Sequence, residues 1–236
     1  MDNESEDRRT RILRLSADLF AARGYHATGL TDLLEEIGVA RGGFYHHFKS
    51  KEEVLLEIVA GTIDRILLSS AAIVGQDLDA ATRLRMLCDD LSQAIIDNQA
   101  GFVVFLREYS ALGKDAKEHV LGLRRSYLER WEGVLEEGQR AGIFAGRETP
   151  YTEGILGMWI YSFVWHRDAV EPQTIAADLA DFVVRGMSAA AHYPPTTTER
   201  APRGLRPGRG VSPARQPKRN SEVASPASAT AGEGEP

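Results

Sequence analysis

Thr28-Gly29-Leu30-Thr31-Asp32-Leu33-Leu34-Glu35-Glu36-Ile37-Gly38-Val39-Ala40-Arg41-Gly42-Gly43-Phe44-Tyr45-His46-His47-Phe48 reads as helix, tight turn, helix. Leu30, Leu33, Leu34 and Ile37 recur at spacings of three and four, so the first segment buries one face. Gly38 gives the chain a backbone conformation that residues with a Cβ resist, which allows a sharp turn. Phe44 and Phe48, four apart, anchor the second segment. With those rings turned inward, Arg41, Gly42, Tyr45 and His46 project near the start of the second helix, the part that enters the major groove in a helix-turn-helix. Arg41 is suited to fork onto guanine, small Gly42 and Gly43 allow close approach to bases, and Tyr45 with Lys51 can reach phosphates. The helix N-terminus adds backbone donors for phosphate.

Outward from this stretch the chain stays helical from residue 8 to about 191, with no sustained alternation that would mark strands. Ile12, Leu15, Leu19 and Ala22 form a stripe on a first helix that Gly24 can close. Ser50-Lys51-Glu52-Glu53 is a capping box that opens a long helix running to Gly75. Further helices are expected over about 79–97, 102–112 and 116–141. Thr149-Pro150 and Glu171-Pro172 each place proline at a first helical position, opening helices to about 165 and 190. The expectation is an all-α protein of about nine helices. Residues 194–236 hold eight of the ten prolines and almost no large apolar residue, which predicts a disordered basic tail.

Charge divides the chain in the same way. The overall net charge of −6 averages residues 8–51 at +4, residues 52–193 at −9 and residues 194–236 at +3. A basic helix-turn-helix end on an acidic body is the footprint of a phosphate-binding surface.

These residues resemble a known family. Gly24-Tyr25, Thr28, Asp32, Gly38-Val39, Phe44-Tyr45-His46-His47-Phe48 and Lys51 are similar to the N-terminal domain of TetR-type bacterial transcriptional regulators. The resemblance implies a homodimer with one helix-turn-helix per subunit, a helical ligand-binding domain, and release of a palindromic double-stranded DNA operator when a small molecule binds. It divides the chain into residues 1–52 for DNA, 53–193 for ligand and partner, and the tail. Candidate DNA contacts are then Thr28, Gly29, Arg41, Gly42, Gly43, Tyr45, His46 and Lys51. Ala40 departs from the family, which usually has Ser or Thr there, so a side-chain cap is missing. The paired glycines weaken the recognition helix by roughly 1 kcal/mol each relative to Ala.

In the body, Phe102, Phe105, Glu108 and Tyr109, then Tyr127 and Trp131, then Met158, Trp159, Ser162, Phe163, Trp165, His166 and Arg167 combine aromatic bulk with a few polar groups. Packing explains each singly, yet all three tryptophans fall here, and a mostly apolar pocket needs this composition. Arg107-Glu108, Arg124-Arg125 with Tyr127 and Trp131, and Gly157-Met158-Trp159 leading to Arg167 resemble the acyl-CoA-responsive branch of the family. That resemblance implies an apolar tunnel for the acyl chain, with Arg124, Arg125 or Arg167 on phosphates. The candidate ligand contacts are Phe105, Tyr109, Arg124, Tyr127, Trp131, Met158, Trp159, Ser162, Phe163, Trp165 and Arg167. Apolar stripes of Ile155, Met158, Trp159 and Ser162 and of Ile175, Leu179, Phe182, Val183 and Gly186 make the last two helices the expected homodimer face. Trp159 fits pocket and interface equally.

Other classes recede. No apolar stretch approaches the ~18 residues of a membrane span, and the acidic N-terminus is unlike a signal peptide, so a cytoplasmic protein is expected. Cys88 stands alone, which suits a small buried hydrophobe. His46 and His47 point about 100° apart on a helix with no Cys or third His nearby in sequence, so no metal is expected, nor any cofactor. No nucleophile elbow, phosphate loop, zinc-protease motif or dinucleotide fingerprint occurs. Asp89-Asp90 and Glu136-Glu137 are adjacent rather than facing pairs, so no catalytic carboxylate dyad is expected. A repressor is therefore the leading expectation. Its rivals are a helical carrier or enzyme for a lipid-like molecule, and a transcriptional activator on the same scaffold.

Overall fold

The computed structural model describes residues 2–145, 152–165 and 171–189, with side chains from residue 8 onward except those of 164 and 165. The proline-rich tail and the helix start expected at Thr149-Pro150 lie outside the described residues. Among the described residues there are nine α-helices: α1 (Asp2–Arg23), α2 (Leu30–Ile37), α3 (Arg41–His47), α4 (Lys51–Val74), α5 (Ala80–Asp97), α6 (Gln99–Glu108), α7 (Lys114–Arg140), α8 (Thr152–Trp165) and α9 (Pro172–Met187). A single turn of 3-10 helix, Tyr109–Ala111, joins α6 to α7.

Local chemistry explains most boundaries. Gly24, at φ +88°, ends α1, its N–H donating to Phe20 O at 2.9 Å. The Ser50 hydroxyl accepts from Glu53 N at 3.1 Å, while the Glu53 carboxylate reaches back to Lys49 N. That reciprocal cap starts α4 where the sequence places it. Asp79 accepts from Thr82 N at 3.0 Å and opens α5.

The start of α6 differs from the expected residue 102. Asn98 ends α5 with its N–H on Ala94 O, and α6 begins immediately at Gln99. Gly101 makes this possible. A Cβ there would fall 2.4 Å from Asn98 Nδ2 and 2.6 Å from Thr62 Oγ1, so only glycine lets α6 lie this close to α4.

α4 is the central helix and packs against α1, α5, α6 and α7. The buried core is continuous across residue 52, running from Ile12, Phe20, Phe44 and Phe48 to Trp131 and Trp159. Arg9 of α1 forms a two-pronged ion pair with Glu57 of α4 and lies over the Phe48 ring at 5.0 Å. At the opposite end Gly142, at φ +70°, stops α7, and Ile143 N donates to Gly138 O at 2.8 Å. The chain leaving α7 pairs with the end of α9 through Ala145 N to Met187 O and Ala189 N to Ile143 O, both 2.9 Å. Arg85 of α5 holds Asp181 of α9.

Candidate functional site

The α2–α3 unit presents an exposed helix face on a buried apolar base. Gly38 takes φ +66°, its N–H donating to Glu35 O and that of Val39 to Leu34 O, so α2 stops and the chain reverses direction. Leu33, Ile37, Phe44 and Phe48 are buried beneath it. Arg41, Gly42, Tyr45 and His46 share the exposed side of α3, with Tyr45 47% exposed and the Arg41 guanidinium 6.0 Å from its ring. A Cβ on Gly42 would meet nothing within 4 Å, so this position is open to an approaching surface. Ala40 takes the N-cap position of α3 with no side-chain hydrogen bond.

Three of the sequence-based candidates occupy different roles. Thr28 is buried, and its hydroxyl donates to Gly24 O at 2.8 Å, because the loop after α1 folds the side chain inward. The Lys51 ammonium donates to Tyr25 O at 2.8 Å and to Thr28 O at 2.7 Å and sits 4.1 Å from the Tyr25 ring centroid. Burial holds its pKa below the usual lysine value. Thr28 and Lys51 thus fix the loop that positions α2 instead of facing outward. Gly43 is half-buried, and a Cβ there would lie 3.3 Å from Val39 Cγ1, so it closes the helix-turn-helix elbow. Gly29 is exposed as the N-cap of α2. Sequence reasoning passed over Lys49, an exposed cation directly after α3, although its charge was the available signal.

The candidates in the body divide by burial. Trp131 and Trp159 are fully buried, and Tyr127 and Phe163 nearly so. Phe105 and Tyr109 are half-buried, with ring centroids 6.4 Å apart, and Met158 and Ser162 are half-buried on α8. Trp159 Nε1 donates to Ser92 Oγ at 2.7 Å across to α5. Trp159 therefore belongs to the core of its own chain, not to a partner face. Ile155 and Val183 are buried too, so among the described side chains of α8 and α9 the exposed large apolar ones are Phe182, 66% exposed, and Tyr161, 50% exposed.

Tyr127 and Trp131, one turn apart on α7 with ring centroids at 6.1 Å, carry a buried phenol oxygen and indole N–H that reach no partner at hydrogen-bond geometry among the described residues. Burial pushes the Tyr127 pKa well above its ordinary value. Arg124 does not join them. Its guanidinium pairs with Glu153 at 3.0 Å on the surface. The Trp165 side chain and Arg167 lie outside the described residues.

Polar groups that sequence reasoning missed line the same interior. Arg130 donates to Leu67 O and, at 2.8 Å, to Ser70 Oγ, and Ser69 donates to Asp90 at 2.7 Å. Burial raises the Asp90 pKa. The available signal was small hydroxyls, Ser69, Ser70 and Ser92, set within otherwise apolar helices. The head and the body meet where Gly113 N, at the start of α7, donates to Glu52 Oε1 at 2.9 Å, next to Lys51. Among the described residues no group of three acidic, His or Cys side chains could hold a metal, and no helix is long and apolar enough to cross a membrane.

Comparison with known proteins places both ends. Residues 12–58 match the family model of bacterial regulatory proteins, tetR family, and residues 77–187 match the tetracyclin repressor-like C-terminal domain. The HTH-type transcriptional repressor KstR2 of Rhodococcus jostii (strain RHA1) is 34% identical over 138 residues, covering 58% of this chain and 68% of that protein. The solved ketosteroid transcriptional regulator KstR2 of Mycobacterium tuberculosis superposes with a TM-score of 0.71 at 26% identity, covering 77% of this chain and 95% of the other. AibR, solved in complex with isovaleryl coenzyme A and operator DNA, has a TM-score of 0.66 at 19% identity over 77% of this chain and 98% of its own, a likeness of fold.

Proposed function

Because the chain belongs to the TetR family of bacterial regulatory proteins, we propose that it is a homodimeric transcriptional repressor that leaves a palindromic operator when an acyl-CoA thioester enters its helical body. Residues 1–52 read the DNA and residues 53–193 take effector and partner. One observation carries the reading: the exposed face of α3 holds Arg41, Gly42, Tyr45 and His46 over a packed Phe44–Phe48 base. Arg41 reads a base edge, while Tyr45, His46 and Lys49 meet phosphates or adjacent bases.

Two recognition helices must sit about one DNA turn, ~34–36 Å, apart, which requires a second copy. Phe182 and Tyr161, exposed on α9 and α8, are the apolar residues this partner would cover. The effector chamber draws on Phe105, Tyr109, Tyr127, Trp131, Met158, Ser162 and Phe163, an apolar lining with few polar atoms. AibR, which shares the fold, was solved in complex with isovaleryl coenzyme A, and this supports the thioester as effector class; the repressor sign follows the KstR2 relatives.

Effector binding acts through α4. A change in the α6–α7 joint is felt at Glu52, whose carboxylate accepts from Gly113 N, and so at the loop that Lys51 holds. Converting a population from 1:99 to 99:1 needs a differential affinity of ~5.5 kcal/mol.

The test is a mobility shift of the purified protein on DNA upstream of its own gene, with competitor DNA and a panel of acyl-CoA thioesters. A specific shift released by one thioester supports both parts. A specific shift indifferent to all of them retains the regulator and removes the effector class, and the absence of a specific shift removes that DNA as operator.

A further inference from the structure

A groove of about 630 Å³ lies between α1, α4 and the start of α6, where the helix-turn-helix end joins the body. Its volume falls in the range of small-molecule sites, ~300–1,000 Å³. The floor is apolar and buried at Ile58 and Val103. Its one buried hydroxyl is already satisfied: Thr62 Oγ1 donates to Ile58 O at 2.7 Å and accepts from Asn98 Nδ2 at 3.1 Å. The Asn98 backbone carbonyl is likewise satisfied, accepting from Phe102 N at 3.2 Å. On α4, a Cβ at Gly61 would meet nothing within 4 Å, so the groove is unobstructed there.

The charges around it are unevenly matched. Glu57 is occupied by Arg9, Asp97 accepts from Gln93 Nε2 at 2.7 Å, and Asp18 faces Arg14 at 3.8 Å. Glu57 and Asp18 thus face cations, whereas Asp97 keeps its charge beside a neutral amide. Arg65, on the α4 wall, has no acidic partner among the described residues, and Arg14 is held only by that long, exposed pair. A cavity with an apolar floor, an unpaired guanidinium and a loosely paired one is complementary to a molecule with an anionic head and an apolar body.

We propose that this groove is a second small-molecule site, distinct from the effector chamber, for an amphipathic organic carboxylate. The carboxylate lies on Arg65 and Arg14, and the apolar part covers Ile58 and Val103. Such an occupant bridges α1, which belongs to the DNA-reading end, to α4, the helix through which effector binding reaches that end.

Calorimetric titration of the full-length protein with decanoate, and with decanol as its neutral counterpart, tests the site. Decanoate is expected to fill a saturable site that decanol does not. Arg65→Glu should weaken that site by about tenfold or more, as loss of a charge-assisted hydrogen bond does. Gly61→Trp, which puts a ring into the open space, should abolish it. Met158→Trp, which fills the body instead, should leave it unchanged. Thermal melts establish that each variant is folded. Undiminished decanoate binding in either groove variant overturns the proposal, as does equal binding of decanol or loss of the site in Met158→Trp.

Discussion

The outer face of α3 and the inner faces of α7 and α8 both gather aromatic rings with polar tips, and they hold them in opposite ways. On α3 the polar groups of Arg41, Tyr45 and His46 stay in water, and only the rings of Phe44 and Phe48 are buried. In the body the polar atoms are buried with the rings. Trp159 finds Ser92, but Tyr127 and Trp131 find no well-placed partner among the described residues. A polar group in water loses nothing until a partner displaces that water, whereas a buried donor without an acceptor costs about 1–3 kcal/mol in every folded molecule. The two regions therefore answer differently to change. The head should lose binding without losing stability, and the body should lose stability first.

The sharpest test of that contrast is the double variant Arg41→Ala with Tyr45→Ala. At about 1–3 kcal/mol for each DNA contact, specific affinity should fall by roughly a hundredfold or more, while the melting temperature stays at the wild-type value. Mobility shifts at one fixed salt concentration and a thermal melt decide it; unchanged binding would detach α3 from recognition. Gly138→Ala probes the body next. Its Cβ would lie 2.1 Å from the Phe144 ring and 3.0 Å from the Ala80 Cβ. Overpacking of this kind costs about 1–3 kcal/mol in urea denaturation, with DNA affinity of the folded protein retained.

A smaller effect separates two similar indoles. Trp159→Phe removes a satisfied hydrogen bond and should cost about 1 kcal/mol more than Trp131→Phe, which removes a donor that has no acceptor. Equal losses would show that Trp131 is satisfied in solution. Smallest is the response of the head to acid. Burial, then His46, Arg8 and Arg9, lower the pKa of His47 below its ordinary 6.5. The folded form thus binds a proton less readily than the unfolded chain, so stability is full above pH 6.5 and declines as pH falls from 6.5 through the lower folded value. His47→Gln should flatten that decline in melts between pH 7.5 and 5.5, and an identical slope would remove His47 as its source.

How much of this was legible depends on how local each cause is. The span of α2, the Gly38 turn and the Ser50 cap rest on residues within four positions of one another, and the structure reproduces them. The inward turn of Lys51 depends on carbonyls at Tyr25 and Thr28, and the Arg124 pair on Glu153. No spacing rule reaches across such separations. The start of α6, expected at residue 102, lies at Gln99 for the same reason. Thr62 of α4 and Asn98 leave no room for a Cβ at Gly101, a contact that sequence spacing does not show. Trp159 fitted both pocket and interface until the distance to Ser92 showed which core it enters.

The bare start of α3 has one more consequence. A seven-residue helix with two glycines and no capping side chain has little helical persistence of its own. Its shape is imposed from Phe44 and Phe48, toward its far end, so the turn bearing Arg41 and Gly42 is the least constrained part of the face proposed to read DNA. A reader held firmly at one end and loosely at the other tolerates spelling changes unequally along each half-site. Selection from a randomised DNA library should then return half-sites with a sharp preference beside Tyr45 and a broad one beside Arg41, giving this regulator a wider set of target promoters than a fully braced recognition helix would allow.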